Sequence, residues 1–127
     1  MAQTPEGLVK AKVRAILKAA GIWHFTTSTF GMGRSGVPDI IACVNGCFLA
    51  IECKAGKGKT TALQDAEIAN IEASGGVALV IYEDNMALLR MAILVLRQRP
   101  VIVPTPTQEN THEVDQAGGP SPRIKRA

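Results

Sequence analysis

Two acids and a lysine lie at the ends of an otherwise apolar segment, GVPDIIACVNGCFLAIECKAG, which covers residues 36–56. Asp39 precedes the first apolar run, and Glu52 and Lys54 come at the end of the second. Unpaired charges are costly in a protein interior, so a buried segment of this kind needs a reason to carry them. Metal-dependent catalysis would be such a reason. Two carboxylates that hold a hard divalent cation, with a lysine beside them, can hydrolyse a phosphodiester bond.

The turn between the two apolar runs predicts how the acids are arranged. Asn-Gly at residues 45–46 is the strongest short-range signal of a hairpin with a two-residue type I′ turn. In that register Val44 pairs with Cys47, and counting outwards places Asp39 directly opposite Glu52. Side chains in directly opposed positions share one face of the sheet, with Cβ atoms about 4.5–5.5 Å apart.

The alternation of a strand separates the charged face of this hairpin from an apolar one. Lys54 lies two residues after Glu52, so it shares the face of the two acids. The other face is predicted to be core, since its residues are all apolar: Ile40, Ala42, Val44, Cys47, Leu49, Ile51 and Cys53. Facing carboxylates repel unless one binds a proton or a cation lies between them. The alternative is that these charges are solvated strand ends that contribute little, but the shared face favours the catalytic interpretation.

The rest of the chain predicts an α/β domain over residues 1–99. Thr4 and Pro5 are typical of a helix start, and Gly21 is typical of a helix end. The expected elements are a first helix, a strand at 22–30, a Gly-rich loop at 31–38, the hairpin, a helix at about 61–73, a strand at 77–82 and a helix at about 84–98. From Pro100 the sequence becomes Pro-rich and polar, which predicts a flexible tail over residues 100–127.

Composition limits the class of protein. The 127 residues suffice for one modest core, and 46% hydrophobic with 20% charged residues excludes a wholly disordered chain. No apolar run approaches the roughly 18–20 residues of a membrane span, and the N-terminus lacks the apolar region of a signal peptide. Three cysteines, an odd number, favour a reducing compartment over a disulfide scaffold. We therefore expect a cytoplasmic protein whose formal charge of +3 permits nucleic-acid binding.

Three motifs together resemble a known family. Pro-Asp at 38–39, Glu-x-Lys at 52–54 and Gln64 on the following helix resemble the VRR-NUC branch of the PD-(D/E)XK nuclease superfamily. The resemblance covers about residues 5–85 and implies a restriction-endonuclease-like αβββαβ core, with a central mixed sheet flanked by helices. It also implies DNA cleavage dependent on Mg²⁺ or Mn²⁺ that leaves 5′-phosphate and 3′-hydroxyl ends.

The resemblance also assigns roles to individual residues. Asp39, Glu52 and the backbone carbonyl of Cys53 would hold the metal ion, while Lys54 and Gln64 would act in catalysis. Small stand-alone members of this branch, often viral, resemble Holliday-junction resolvases and act as homodimers. We therefore expect branched DNA as substrate, a homodimer, and a phage-like origin in a bacterial or host cytosol. The third helix is the first candidate for the dimer contact, although burial within the monomer explains its apolar residues equally well. A flap or end-processing nuclease, or a non-catalytic module that binds branched DNA, are the alternatives.

Several residues outside the hairpin are further candidates with open alternatives. Glu6 faces inward on the first helix, either as an additional metal ligand or as an acid that complements the helix dipole. Gln64 either reaches the site or forms a capping box with Thr61. Four residues in the loops beside the acids are candidate contacts for DNA phosphates, or simply solvated loop residues: Arg34, Ser35, Lys57 and Lys59.

Overall fold

The computed structural model describes residues 3–27 and 33–101. Its elements are α1 (Pro5–Ala19), β1 (Trp23–Thr26), β2 (Ile40–Val44), β3 (Cys47–Cys53), α2 (Ala62–Ala73), β4 (Val77–Ile81), a 3-10 turn (Glu83–Asn85) and α3 (Met86–Arg97). This order confirms the predicted α/β class and the αβββαβ core. The parts of the predicted first strand and Gly-rich loop at residues 28–32, and of the predicted tail from residue 102, lie outside the described residues.

The four strands form one mixed sheet in the order β1-β2-β3-β4. The first three are antiparallel, and β4 runs parallel to β3. The hairpin register is confirmed, since Val44 pairs with Cys47 and the pairing continues back to Ile40, the first residue of β2, which pairs with Ile51. Asn45 and Gly46 have φ values of 53° and 81°, the left-handed conformations that a type I′ turn requires at both central positions.

One face of the sheet packs against α1 and α3 and forms the core. The predicted apolar face of the hairpin is buried there as expected. The helices add residues at helical spacing from their inner faces: Val9, Val13 and Leu17 from α1, and Leu89, Ile93 and Leu96 from α3. Because successive side chains of a strand point to opposite faces, the remaining residues of the hairpin lie on the face away from this core.

The ends of α1 follow the sequence signals. The Thr4 hydroxyl accepts a hydrogen bond from the Gly7 N–H at 2.9 Å, which satisfies one of the free donors at the helix N-terminus. Gly21, with a φ of 71°, takes the left-handed position after the helix, and the next residue, Ile22, donates its N–H to the Leu17 carbonyl at 2.9 Å. The capped end of α1 is therefore followed directly by β1.

The other face of the sheet is covered in part by α2. The predicted inward stripe of Gln64, Ile68 and Ile71 is half-buried, whereas the other residues of α2 except Glu67 are exposed, so the predicted inner face is confirmed. Glu67, which the sequence did not single out, is the most buried residue of the helix. The inner side of α2 is therefore mixed, with the polar Gln64 and Glu67 beside the half-buried Ile68 and Ile71. In α3 the outer side remains exposed and apolar at four positions, Leu88, Met91, Leu94 and Val95. No helix in the two described ranges combines the length and apolar character needed to cross a membrane.

Candidate active site

The two acids of the hairpin lie where β2 begins and β3 ends. Ile40 pairs with Ile51, so the preceding Asp39 lies across from Glu52. The Oδ2 atom of Asp39 accepts a hydrogen bond from the backbone N–H of Cys53 at 2.9 Å. This bond ties the Asp39 carboxylate to the strand that carries the second acid, and it leaves Oδ1 pointing to other partners.

Glu52 is buried as deeply as a core residue, with 2% of its surface exposed. Its Oε2 atom accepts a hydrogen bond from Gln64 Nε2 at 2.9 Å and lies 3.6 Å from Lys54 Nζ. Its Oε1 atom is buried and has no hydrogen-bond partner within the described residues. An unsatisfied buried carboxylate oxygen is costly, so this atom marks a place where a ligand would be stabilised.

Burial, and then the nearby negative charge of Asp39, raise the pKa of Glu52 to about 7. The ammonium group of Lys54 acts in the opposite direction but does not offset these effects. Glu6 also raises the pKa of Glu52 and is the last of the causes, so the first turn of α1 does lie within electrostatic reach of the site. A carboxyl group of this kind is readily protonated near neutral pH unless a cation stabilises its charge.

Each acid has its own lysine. Lys54 is largely buried beside Glu52, while Lys10 of α1 places its Nζ atom 3.4 Å from Asp39 Oδ1. Sequence reasoning missed Lys10, because it lies between the buried residues of α1 and only its long side chain reaches the site. The single signal available was its position one helical turn after Glu6, on the same side of the helix.

Gln64 makes both of the contacts considered for it, one to the site and one within the helix cap. Its side-chain Oε1 accepts a hydrogen bond from the Thr61 N–H at 2.9 Å, and its own N–H donates to the Thr61 hydroxyl at 3.2 Å, which together form a capping box. Its Nε2 atom meanwhile donates to Glu52. The start of α2 therefore fixes the orientation of one carboxylate oxygen of the site.

The loop before Asp39 is held against α2 by two contacts. Gly36 has a φ of 84°, and a Cβ atom there would come within 2.8 Å of the Leu63 carbonyl oxygen, so only glycine fits. The Arg34 guanidinium forms a two-pronged ion pair with the Glu67 carboxylate, including an Nη2–Oε1 distance of 3.0 Å. Arg34 stays largely exposed, and Ser35 beside it is exposed.

The basic loop after Lys54 lies at the surface near the same strand end. Lys57 and Lys59 are both exposed. Between them, the Gly58 carbonyl accepts a hydrogen bond from the Tyr82 hydroxyl at 2.7 Å. This bond anchors the loop to Tyr82, directly after β4, and neither ammonium group forms an ion pair within the described residues.

The donor set fits a hard divalent cation held by two carboxylates. The unpartnered Glu52 Oε1 and the Asp39 Oδ1 atom are the oxygen ligands that Mg²⁺ prefers. Within the described ranges no three His, Cys, Asp or Glu side chains form a metal-binding group, so Glu6 does not complete a three-acid cluster. Burial raises the pKa of the Cys53 thiol to about 12, which leaves only the backbone of this residue to act at the site.

One family model matches most of the chain. The sequence model of the archaeal Holliday junction resolvase (Hjc) family matches residues 12–99, more than half of the 127 residues. The chain belongs to this family. It is accordingly a Holliday-junction-resolvase-like, structure-selective nuclease. The matched range includes Asp39, Glu52 and Lys54, whereas Lys10 lies just before it. No curated protein and no solved structure matches the chain.

Proposed function

We propose that this nuclease cuts branched DNA with a divalent cation, Mg²⁺ or Mn²⁺, held by Asp39 and Glu52. The observation that carries the proposal is the buried, unpartnered Oε1 atom of Glu52 beside a second carboxylate. A module that only binds DNA has no use for two acids in contact, because they repel the phosphate backbone. Two acids that share a cation gain from the same proximity.

The ligand set we propose is the Asp39 carboxylate, the Glu52 carboxylate and the backbone carbonyl of Cys53. The Cys53 N–H already bonds to Asp39, so the backbone at this residue runs beside both acids. Glu6 is the candidate for an outer acid that acts through its charge. When bound, a divalent cation supplies positive charge next to the phosphate and lowers the pKa of water.

Lys54 and Gln64 are the candidates for positioning the attacking water. Lys54 has 12% of its side chain exposed and lies 3.6 Å from Glu52, so its ammonium group is held in place rather than free in solvent. It can orient the water and stabilise the charge that develops on the phosphate. Gln64, on α2, fixes the orientation of the Glu52 carboxylate through its hydrogen bond. The cut would leave 5′-phosphate and 3′-hydroxyl ends, and the Gln64 motif supports a place in the VRR-NUC branch.

DNA phosphates would be bound by the loops on either side of the site. Lys57 and Lys59 flank an anchored carbonyl at Gly58, so their backbone is fixed while their charges are free. Arg34 is held by Glu67 but keeps most of its side chain exposed, and Ser35 adds a hydroxyl. Each phosphate contact of this kind contributes affinity that weakens as salt rises.

A homodimer is the assembly we propose, because a four-way junction with near two-fold symmetry needs two incisions and each chain has one site. The outer side of α3 supports this contact, since Leu88, Met91 and Val95 form an exposed apolar stripe at helical spacing. Light scattering should give a dimer mass for the wild type and a monomer mass for Met91→Glu. Leu8→Glu, which changes an exposed leucine of α1, should remain a dimer; a monomeric wild type would contradict the assembly.

Cleavage of labelled four-way junction, flap and linear duplex DNA tests the function. We expect paired, symmetric nicks on the junction with Mg²⁺ or Mn²⁺, and none with EDTA or in the Glu52→Gln and Lys54→Ala variants. Preferential cutting of the flap or of ends would assign the protein to those substrates instead. Junction binding without cleavage of any substrate by the wild type would leave a binding module and contradict the enzymatic proposal.

A further inference from the structure

Lys10 is a second lysine at the site, and it comes from a different element than Lys54. It lies on α1, and its Nζ atom is 3.4 Å from the Oδ1 atom of Asp39. The other oxygen of Asp39 is already bound by the backbone N–H of Cys53 at 2.9 Å. Lys10 therefore faces the oxygen that is open to ligands.

We propose that Lys10 binds the phosphate group of the DNA at the position of cleavage. This inference rests on the proposed nuclease function and assigns to it a residue outside the hairpin motif. The ammonium group of Lys10 would contact a non-bridging phosphate oxygen and stabilise the negative charge that grows there in the transition state.

The charges of the site support this role. Asp39, Glu52 and Lys54 alone carry a net negative charge when both acids are ionised, which repels a phosphodiester. Lys10 brings these side chains to neutrality before any cation is bound. Such neutralisation matters most in a partly buried site, where charges are screened less than at the surface.

Exposure distinguishes the two lysines. Lys54 has 12% of its side chain exposed and lies beside Glu52, while Lys10 has 35% exposed and lies beside Asp39. DNA can only approach from solvent, so the more exposed ammonium group is the one that a phosphate can reach. Its long, unbranched side chain can also move from the carboxylate to the phosphate without any change in the backbone.

A competing account is that Lys10 only balances the charge of Asp39 while no metal ion is bound. Lysine would then compete with the cation, and its removal would tighten metal binding without slowing cleavage. The phosphate role predicts slower cleavage at saturating metal and fewer contacts to DNA. The two accounts therefore differ in what is measured after the metal site is filled.

Lys12 offers a matched control on the same helix. It lies two residues after Lys10, pairs with Glu83 and is more exposed than Lys10. Lys12→Met thus makes the same chemical change on α1 away from the acids. Lys10→Arg keeps the positive charge and its donors, which should preserve part of the function if a phosphate is bound.

The experiment compares wild type, Lys10→Met, Lys10→Arg and Lys12→Met in single-turnover cleavage of a four-way junction at saturating Mn²⁺. We expect Lys10→Met to be about 10²-fold slower, Lys10→Arg to recover at least part of the rate, and Lys12→Met to remain within about twofold of wild type. Mn²⁺ binding without DNA, measured by calorimetry, should not be weakened in Lys10→Met. A Lys10→Met rate within about threefold of wild type would overturn the proposal.

Junction affinity at several salt concentrations, with Ca²⁺ in place of Mn²⁺, separates this inference from the proposed function. Loss of one phosphate contact should lower the slope of log affinity against log salt by about one in Lys10→Met and leave it unchanged in Lys12→Met. A wild type that cleaves nothing would contradict the nuclease proposal, and this slope would still test Lys10. Equal slopes for Lys10→Met and wild type would contradict the phosphate contact.

Discussion

The two faces of the β2–β3 hairpin are built from alternate residues of the same strands, yet their environments differ. Leu49 and Ile51 on the core face are completely buried among apolar side chains. Glu52, next in sequence, is buried almost as deeply on the other face, but its neighbours are a carboxylate, an ammonium group and an amide. Burial on the first face stabilises the fold, whereas burial on the second raises the energy of a charge, which a bound cation would lower.

Glu52→Gln should have the largest effect on activity while leaving the fold itself unchanged. Glutamine keeps the size of the side chain and can still accept a hydrogen bond from Gln64, but it cannot supply the negative charge that a divalent cation requires. We expect cleavage of the junction to fall by about 10³-fold or more. Circular dichroism should show an unchanged fold, and activity within tenfold of wild type would contradict the assignment.

Leu49→Ala should show the opposite behaviour on the core face. Leu49 is fully buried, and such truncations cost about 2–5 kcal/mol because a cavity remains. Urea denaturation should record this loss, while cleavage measured well below the melting temperature should stay within a fewfold of wild type. If Leu49→Ala lost as much activity at low temperature as Glu52→Gln, the two faces would not be independent.

The pKa of Glu52 predicts how stability depends on pH without metal. The folded state keeps a proton up to about pH 7, whereas an unfolded glutamate loses it near pH 4.3. Wild type should therefore lose stability as pH rises between these values, by about 3–4 kcal/mol, and Glu52→Gln should not. Urea denaturation in EDTA at pH 4.5 to 8 checks this, and parallel profiles for the two proteins would contradict the buried charge.

The smallest effects should separate the two roles of Gln64. Thr61→Ala removes only the cap of α2 and should cost about 1 kcal/mol with activity nearly unchanged. Gln64→Ala removes the reciprocal part of the capping box and also the hydrogen bond to Glu52, so cleavage should fall about tenfold or more. Equal activity of the two variants would show that Gln64 acts only as a cap.

The sequence predicted the hairpin well because its geometry is local. Asn-Gly at residues 45–46 sets the register, and the register places Asp39 across from Glu52. The contacts that were missed join residues that are distant in sequence: Lys10 with Asp39, and Arg34 with Glu67. The periodicity of the sequence does not predict such pairs, since they depend on how the helices and loops pack against the sheet.

The inner face of α2 was predicted, but its most buried residue was not. In α2 the buried position is Glu67, which hydropathy places at the surface, because its partner arginine comes from a loop before the hairpin. In α3 apolar residues surround the helix, and only packing decides that Leu89 and Ile93 are buried while Met91 is exposed. Sequence alone could not separate these two sides.

Binding of Mn²⁺ to the protein without DNA tests the central claim most directly, namely that the two facing acids form a metal site. Calorimetric titration at pH 8 should give saturable binding to the wild type, no detectable binding to Glu52→Gln or Asp39→Asn, and unchanged binding to the loop variant Lys57→Ala. The stoichiometry should be at least one ion per chain. Equal binding curves for the wild type and both acid variants would contradict the account.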